Sequence, residues 1–349
     1  MASVKLSSPH VTRNNSTAGV MQKVLLAMLP GILALTLFFG WGTLIQVLIC
    51  CICAVVFEAL AVWLRRQSIS FFLSDYSAIV TAVLLGVALP PSAPYWVAVV
   101  GMFVAIIFGK QVYGGLGNNP FNPAMVAYAL LLVSFPVQMT SWLQPYHALQ
   151  SQSWSVPSIS DSLSMIFAGV NVDGYSGATP LDLIRNRGAI TLSELWSSDL
   201  SLNSFAFANQ MVALSWLAGG TVLLYLRVFT WHTPISLIAT LFVTAALFYG
   251  YDPDNYLDPL SHLMLGATML GAFFIATDPV SSATSTRGRL VFGAGIGLLV
   301  FIIRTWGNYP EAFAFAVLLM NLAAPMIDQY TKPRAYGHKS SRLGSRGGQ

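Results

Sequence analysis

The chain has 349 residues, of which 55% are hydrophobic and only 9% are charged, and its formal net charge is +4. Soluble domains carry about 25% charged residues, so this composition excludes a soluble globular protein. Several apolar runs reach about 20 residues, enough for a helix to cross a hydrocarbon core of roughly 30 Å, whereas a β-barrel would show alternating segments of about 10 residues. We therefore predict an all-α integral membrane protein.

The polar first 20 residues lack the apolar core of a cleaved signal peptide. Ten apolar segments follow in two groups of five. The predicted regions are a cytoplasmic tail (1–21), a first membrane half (22–138), a periplasmic loop (139–205), a second membrane half (206–328) and a basic cytoplasmic tail (329–349). The predicted segments are 22–40, 43–64, 76–89, 95–109, 122–138, 206–226, 233–249, 260–276, 289–304 and 310–327.

The distribution of basic residues predicts the orientation. With both termini in the cytoplasm, fourteen of the seventeen Lys and Arg residues lie on the cytoplasmic side, as the positive-inside rule requires. The basic excess is therefore explained by topology, and it does not indicate nucleic-acid binding.

The second segment carries Glu58, a carboxylate within an apolar run. Ionisable residues inside a membrane are expensive and are candidates for a functional site, so Glu58 is a candidate for an ion path. Arg65 follows about two helical turns later, and the alternative is that Glu58 lies near the inner interface or pairs with a neighbouring helix. The cysteines of the same run, Cys50, Cys51 and Cys53, are interpreted as apolar packing residues, and no metal site is predicted.

The fifth segment begins with Asn122 followed by Pro123, which is a helix-capping pattern. Capping alone explains this pair of residues. The functional alternative is that the helix break at Asn122 lines a cofactor or ion site. Lys110 and Arg304 fall at segment ends, where snorkelling of the charged group to the interface explains them without a function.

The polar loop contains the run "DGYSGATPLD", residues 173–182. As local structure, Thr179 caps a short helix, Pro180 occupies its first position, and Asp182 completes a pattern like a capping box. As chemistry, the hydroxyl of Thr179 can form a phosphoester, and the small Gly177 and Ala178 leave room for a bulky group. Free N–H groups at a helix start would favour an attached phosphate, although Asp182 adds a second negative charge nearby.

The second half shows a similar pattern, since Asp278 precedes Pro279 after a short eighth segment. Asp278 is likewise predicted to cap the start of a membrane helix, and the alternative is that this break lines a cofactor or ion site. A weak internal repeat links the halves: "GNNPFNPA" (117–124) and "GNYPEAFA" (307–314) share four of eight residues. Five segments per half would invert the second half relative to the first, which is typical of transport folds with a site near the bilayer midplane.

These motifs resemble a known family. Asp173, Ser176, Gly177, Ala178 and Thr179 match the pattern D-x-x-[S/T]-G-A-T, in which a transferase esterifies FMN to the threonine. The whole chain resembles the D subunit of the Rnf (Rsx) electron-transport complexes, related to the B subunit of the sodium-pumping NADH:quinone reductase. The resemblance rests on the attachment loop and on "SDYSAIVTAVLLGVALPP" (74–91), "GKQVYGGLGNNPFNPAMV" (109–126) and "FFIATDPVSSATSTRGR" (273–289).

The resemblance implies ten helices in two inverted five-helix repeats of the urea-transporter type, in a bacterial inner membrane. It also implies covalent FMN on Thr179, a second, non-covalent riboflavin, and partner subunits that exchange electrons between ferredoxin and NAD. The sequence has no Gly-rich dinucleotide fingerprint and no cysteine run suited to an iron–sulfur cluster. We therefore expect electrons to arrive from partner subunits.

Two other functions stay open. A channel or secondary transporter would share the inverted-repeat fold, because fold does not decide function. A scaffold with a vestigial flavin site would join the complex without binding flavin. The presence of bound flavin would distinguish a redox subunit from both of these alternatives.

Overall fold

The computed structural model describes residues 16–145, 157–169, 176–188, 190–198, 200–309 and 311–332. Within these ranges seven helices are long and apolar enough to cross a membrane, and three shorter apolar helices accompany them. Strand structure there is confined to one two-stranded pairing. The predicted all-α, multi-pass membrane fold is confirmed. Most of both predicted tails lies outside the described residues.

The first half is a series of helices joined by short turns. They are α1 (Thr17–Phe39), α2 (Gly42–Leu64), α3 (Ile69–Leu73), α4 (Ser77–Ala88), α5 (Tyr95–Phe103), α6 (Pro123–Ser134) and α7 (Pro136–Thr140). A π-helical turn (Val104–Phe108) extends α5, and a 3₁₀ turn (Gln111–Tyr113) follows.

The connecting loop holds short elements: β1 (Trp142–Leu143), α8 (Ile159–Ala168), β2 (Ser176–Gly177), α9 (Pro180–Arg185) and α10 (Leu192–Ser198). The second half contains α11 (Leu200–Tyr225), α12 (His232–Tyr251), α13 (Pro259–Met264), α14 (Thr268–Leu270), α15 (Thr286–Trp306) and α16 (Phe313–Thr331). A π-helical turn (Gly271–Ile275) extends α14.

The third and eighth segments do not form full spans. Helix α4 has 12 residues, a length of about 18 Å at 1.5 Å per residue, well short of the bilayer core. The eighth segment is broken between α13 and α14, where Gly266 has φ +69°. The short third segment agrees with the sequence, in which Pro90 and Pro91 follow it closely. The break at Gly266 lies inside the eighth segment and not at its polar end.

Helices in corresponding positions of the two halves pack against each other. Helix α1 packs against α11, and α6 packs against α16, the contacts expected when two similar halves surround a common axis. At the first crossing, a Cβ on Gly219 would overlap the carbonyl oxygen of Ala27. Small residues at such crossings let membrane helices approach closely. The interface between the halves is therefore tight, and two cavities lie within it.

Candidate functional site

The attachment motif is tied to the start of its own loop. Strand β2 pairs antiparallel with β1, so that Gly177 lies opposite Trp142. Ala178 is exposed. A Cβ on Gly177 would lie 3.1 Å from Cγ and Nε2 of the Gln144 side chain, so a larger residue at this position would need that side chain to move. Asp173 lies outside the described residues.

Thr179 and Asp182 form the capping box that the sequence predicts. The backbone N–H of Asp182 donates to Thr179 Oγ1 at 3.2 Å, and the backbone N–H of Thr179 donates to Asp182 Oδ2 at 3.2 Å. The Thr179 hydroxyl also donates to Asp182 Oδ2 at 2.5 Å. Because α9 has only 6 residues, its dipole contributes little, and these three hydrogen bonds fix the threonine.

Asp182 is the nearest charge to the Thr179 hydroxyl, and its surroundings favour the neutral form. Burial raises the pKa of the carboxyl, the hydrogen bonds from Thr179 oppose that shift, and the charge of Glu311 adds to it. An ester at Thr179 would remove the hydroxyl hydrogen and with it one opposing hydrogen bond. The pKa of Asp182 would then rise further, which reduces its repulsion of an attached phosphate.

Thr179 lies at the edge of a cavity between the two halves, called here the Thr179 cavity. It has a water-accessible volume of about 130 Å³. Its walls are mainly apolar and come from α1, α4, α6, α11 and α14, and they include Leu35, Val87, Met125, Trp216 and Leu270. An apolar cavity with a few polar groups is the usual form of a site for a small organic ligand or cofactor.

An ion pair between the buried Arg304 and Glu311, which lines the Thr179 cavity, lies beside it. Arg304 Nη1 donates to the carbonyl of His262 at 2.7 Å, and Nη2 lies 3.3 Å both from the carbonyl oxygen of Leu265 and from Glu311 Oε1. Glu311 Oε2 in turn accepts the N–H of Ala267 at 3.0 Å. The pair therefore holds the backbone groups that the break between α13 and α14 leaves free.

The snorkelling expected for Arg304 is wrong, because its side chain is only 2% exposed and points into the protein. Glu311, which lines the Thr179 cavity, was not predicted as a site residue. The sequence did indicate this residue, because Glu311 is a carboxylate within the repeated motif "GNYPEAFA" and lies at the start of the last apolar segment.

The break at Gly266 leads to a testable prediction. A Cβ there would overlap Glu311 Oε2 and lie 2.9 Å from Arg304 Nη2, whereas a Cβ at Gly188, with a similar φ of +66°, meets nothing within 4 Å. A left-handed backbone costs a non-glycine residue about 1 kcal/mol, so Gly188→Ala should lower the thermal midpoint slightly and Gly266→Ala clearly more. Thermal unfolding in detergent measures both. Equal shifts of the thermal midpoint would show that the Arg304–Glu311 pair accommodates the added methyl group without loss of stability.

A second cavity lies at the opposite end of the same interface and is called here the Asn122 cavity. It has a water-accessible volume of about 250 Å³, and both Asn122 and Asp278 line it. Asn122 caps α6, accepting the N–H groups of Ala124 at 3.1 Å and Met125 at 3.3 Å. The structure thus brings together the two helix breaks that the sequence singled out separately.

Asp278 does not begin a helix, so that part of the prediction is wrong. Its carboxylate accepts the N–H of Val280 at 3.2 Å and the hydroxyl of Ser281 at 2.9 Å, which stabilises a turn. The following helix starts at Thr286, where Ser285 is the cap.

Glu58 is paired, as the alternative from the sequence proposed. It is fully buried and lies 2.8 Å from the ammonium of Lys110, which also donates to Ser77 Oγ at 2.7 Å. Gln111 Nε2 donates to Glu58 Oε1 at 2.8 Å, and Arg65 donates to Gln111 Oε1 at 2.8 Å. The predicted snorkelling of Lys110 is wrong, because the buried carboxylate draws its ammonium inward. Lys110 also lines the Asn122 cavity.

Neighbouring residues of α4 and of the π-helical turn after α14 line different cavities, and their side chains form a partition between the two. On α4, Leu84 lines the Asn122 cavity and Val87, one turn further, lines the Thr179 cavity. After α14, the consecutive residues Phe274 and Ile275 line one cavity each. These four side chains are nearly fully buried.

Comparison with known proteins covers nearly the whole chain. The model of the NQR2, RnfD, RnfE family matches residues 4–337. The D subunit of the ion-translocating oxidoreductase complex of Cellvibrio japonicus is 50% identical over 350 residues, covering 98% of this chain and 97% of that protein. The D subunits of the same complex in Alcanivorax borkumensis (51% identity, 99% of this chain and 100% of that protein) and Salmonella typhi (48% identity, 95% of this chain and 98% of that protein) are similarly related.

Proposed function

This chain belongs to the NQR2, RnfD, RnfE family, and from that premise we propose that it is the D-type membrane subunit of an ion-translocating oxidoreductase complex and carries electrons through FMN attached to Thr179. Relatives of about 50% identity over their full length are named as the D subunit of such a complex. The complex therefore supplies the setting for a redox role. In that role, the side chain of Thr179 would hold one cofactor, FMN.

One observation carries the proposal: the threonine of an attachment motif lies at the edge of a cavity between the two membrane halves. Thr179 is half-buried, so its hydroxyl stays within reach of a transferase. The apolar walls of the Thr179 cavity suit the face of a flat aromatic ring. Ser176 and Gly177 pair with β1 and so fix the backbone just before the acceptor threonine. FMN, when bound, would supply one-electron and two-electron redox chemistry.

The residues of this chain contribute position and electrostatics. Thr179 would hold the cofactor by its phosphate. The Arg304–Glu311 pair would keep the wall of the cavity rigid, and Asp182 would lose a hydrogen bond when the ester forms. Electrons would come from partner subunits, and the family resemblance suggests ferredoxin and NAD as the outer partners.

The second proposed cofactor site is the Asn122 cavity, where a non-covalent riboflavin would bind. The fit rests on polar groups that face it, since Asn122 and Asp278 line this cavity together with Asn119, whose buried Oδ1 has no hydrogen-bond partner in the described structure. An unsatisfied buried acceptor requires a donor, and riboflavin offers donors on its ring and ribityl chain. The buried Glu58–Lys110 pair, which adjoins this cavity, is the proposed element of the ion path.

The proposed location is a bacterial inner membrane with both termini in the cytoplasm and residues 139–205 in the periplasm. The positive-inside rule supports it, and the cavities agree, since Lys110, Arg227 and Arg289 all line the Asn122 cavity, at the predicted cytoplasmic end. Thr179 then faces the periplasm, where a flavin transferase would complete maturation.

A channel or secondary transporter is the second candidate, favoured by two cavities that approach each other from opposite ends of one interface. Such a protein would need no covalent flavin. Flavin that stays with the denatured wild-type chain and is absent from Thr179→Ala is the test that separates the two functions.

A further inference from the structure

Two polar side chains face the Thr179 cavity without a hydrogen-bond partner among the described residues. Tyr128 extends from α6 and Asn209 from α11, and both line the cavity. Tyr128 is only 7% exposed. Buried polar groups are nearly always hydrogen-bonded, and an unpaired one raises the free energy of the folded state. Tyr128 is buried and Asn209 is half-buried, and both line the same cavity. A ligand in this cavity would supply the hydrogen-bond partners that they lack.

The two carboxylates of the cavity are already engaged. Asp182 holds Thr179 in the capping box, and Glu311 binds Arg304 and the N–H of Ala267. The wall between these groups is apolar, with Met125, Leu132, Phe205, Trp216 and Leu270. A ligand that suits this arrangement has a broad apolar face and a hydrogen-bonding edge.

Given the proposed attachment of FMN to Thr179, we propose that the Tyr128 hydroxyl and the Asn209 amide hydrogen-bond to the ring of that FMN. They are thus positioning residues that hold the ring and set its reduction potential. A hydrogen-bond donor stabilises the electron-rich reduced ring more than the oxidised ring, and hydrogen bonds to the ring are a main means by which a protein tunes a flavin. The hydroxyl of Tyr128 acts in this way, and the amide of Asn209 can donate and accept.

The test uses the assembled complex, made together with its flavin transferase, in four forms: wild type, Tyr128→Phe, Asn209→Leu, and Tyr249→Phe as the matched control. Tyr249 lies on α12, is 39% exposed, and is not a wall of the Thr179 cavity. Two quantities are measured in these four forms: the flavin fluorescence of the denatured chain and the midpoint potential of the covalent flavin. The thermal midpoint is measured in two further proteins that lack the attached ring, Thr179→Ala and Thr179→Ala with Tyr128→Phe.

We expect Tyr128→Phe and Asn209→Leu to keep the covalent flavin and to lower its midpoint potential, while Tyr249→Phe changes neither. If a variant weakens the binding of the reduced ring ten times more than that of the oxidised ring, the midpoint potential falls by about 59 mV for a one-electron couple. In the Thr179→Ala background, Tyr128→Phe should leave the thermal midpoint unchanged or raised, because the hydroxyl has no partner to lose there. A purely structural role would lower it.

Two results would overturn this inference, and they differ from each other. Covalent flavin with an unchanged potential in both single variants would reject the role of Tyr128 and Asn209 and leave the proposed function intact. A wild-type chain without covalent flavin, in the presence of an active transferase, would reject both. Should one variant fail to fold, the other still decides, since each removes a different hydrogen-bonding group from a different helix.

Discussion

We expect Thr179→Ala to abolish covalent flavin on this chain, while Thr179→Ser keeps part of it, when the protein is produced together with a flavin transferase. The phosphoester requires a side-chain hydroxyl, which serine retains and alanine lacks. In-gel fluorescence after denaturation measures the attached flavin, because a non-covalent flavin is lost when the chain unfolds. A loss in Thr179→Ser equal to that in Thr179→Ala would show that the transferase needs more than this oxygen.

The same loop provides a matched control. Thr179→Ala also removes an N-cap, which costs about 0.5–2 kcal/mol, so the loss of flavin must be separated from local unfolding. Ser158 and Asp161 form an equivalent capping box at the start of α8. Ser158→Ala should weaken that helix end to a similar degree and keep the flavin. If the Ser158→Ala band shows no flavin fluorescence, attachment depends on the fold of the loop and not only on the Thr179 hydroxyl. If the wild-type band shows none although the transferase is active, the transporter function is favoured.

The second large effect is expected at the buried pair of Glu58 and Lys110. Removing one partner leaves an uncompensated charge in the protein interior, and such losses cost roughly 3–5 kcal/mol. Glu58→Gln and Lys110→Met should each lower the thermal midpoint strongly. The double variant should recover much of that loss, because no unpaired charge remains. Thermal unfolding of the four proteins in detergent gives the coupling between the two side chains.

The double variant also tests the proposed ion path. Since its stability is restored, a defect in ion transport by the complex cannot be attributed to unfolding. If Glu58 serves the ion path, ion transport coupled to electron transfer should fall while flavin stays bound to Thr179. Normal coupling in the stable double variant would make the pair a structural element that fastens the end of α5 to α2.

The helices were predictable from the sequence because the bilayer imposes both length and hydropathy on them. The predicted segment 43–64 differs by one residue from α2 (Gly42–Leu64), and the capping box at Thr179 follows from the side chains of that run alone. The orientation of a side chain around its helix is not encoded so locally. Lys110 and Arg304 therefore looked like surface cations, whereas each is drawn inward by a carboxylate that lies far away in sequence or in a loop.

The candidate site was predictable only where it has a motif. Thr179 stands out by its neighbours, and Asn122 and Asp278 stand out by the prolines after them. Tyr128 lies in an ordinary apolar run, and its hydroxyl becomes unusual only when the structure shows that none of the described residues pairs with it. Whether a polar group is satisfied depends on tertiary packing, which a single sequence does not reveal.

The partition formed by Leu84, Val87, Phe274 and Ile275 has different consequences for electrons and for ions. A bare cation would have to leave water to cross these buried apolar side chains, which is energetically expensive. An electron crosses packed side chains by tunnelling and needs no wet path. With a flavin in each cavity, electrons could pass through the partition from one flavin to the other, whereas ions could not cross it. The ion gradient could then not discharge along the route taken by the electrons that build it.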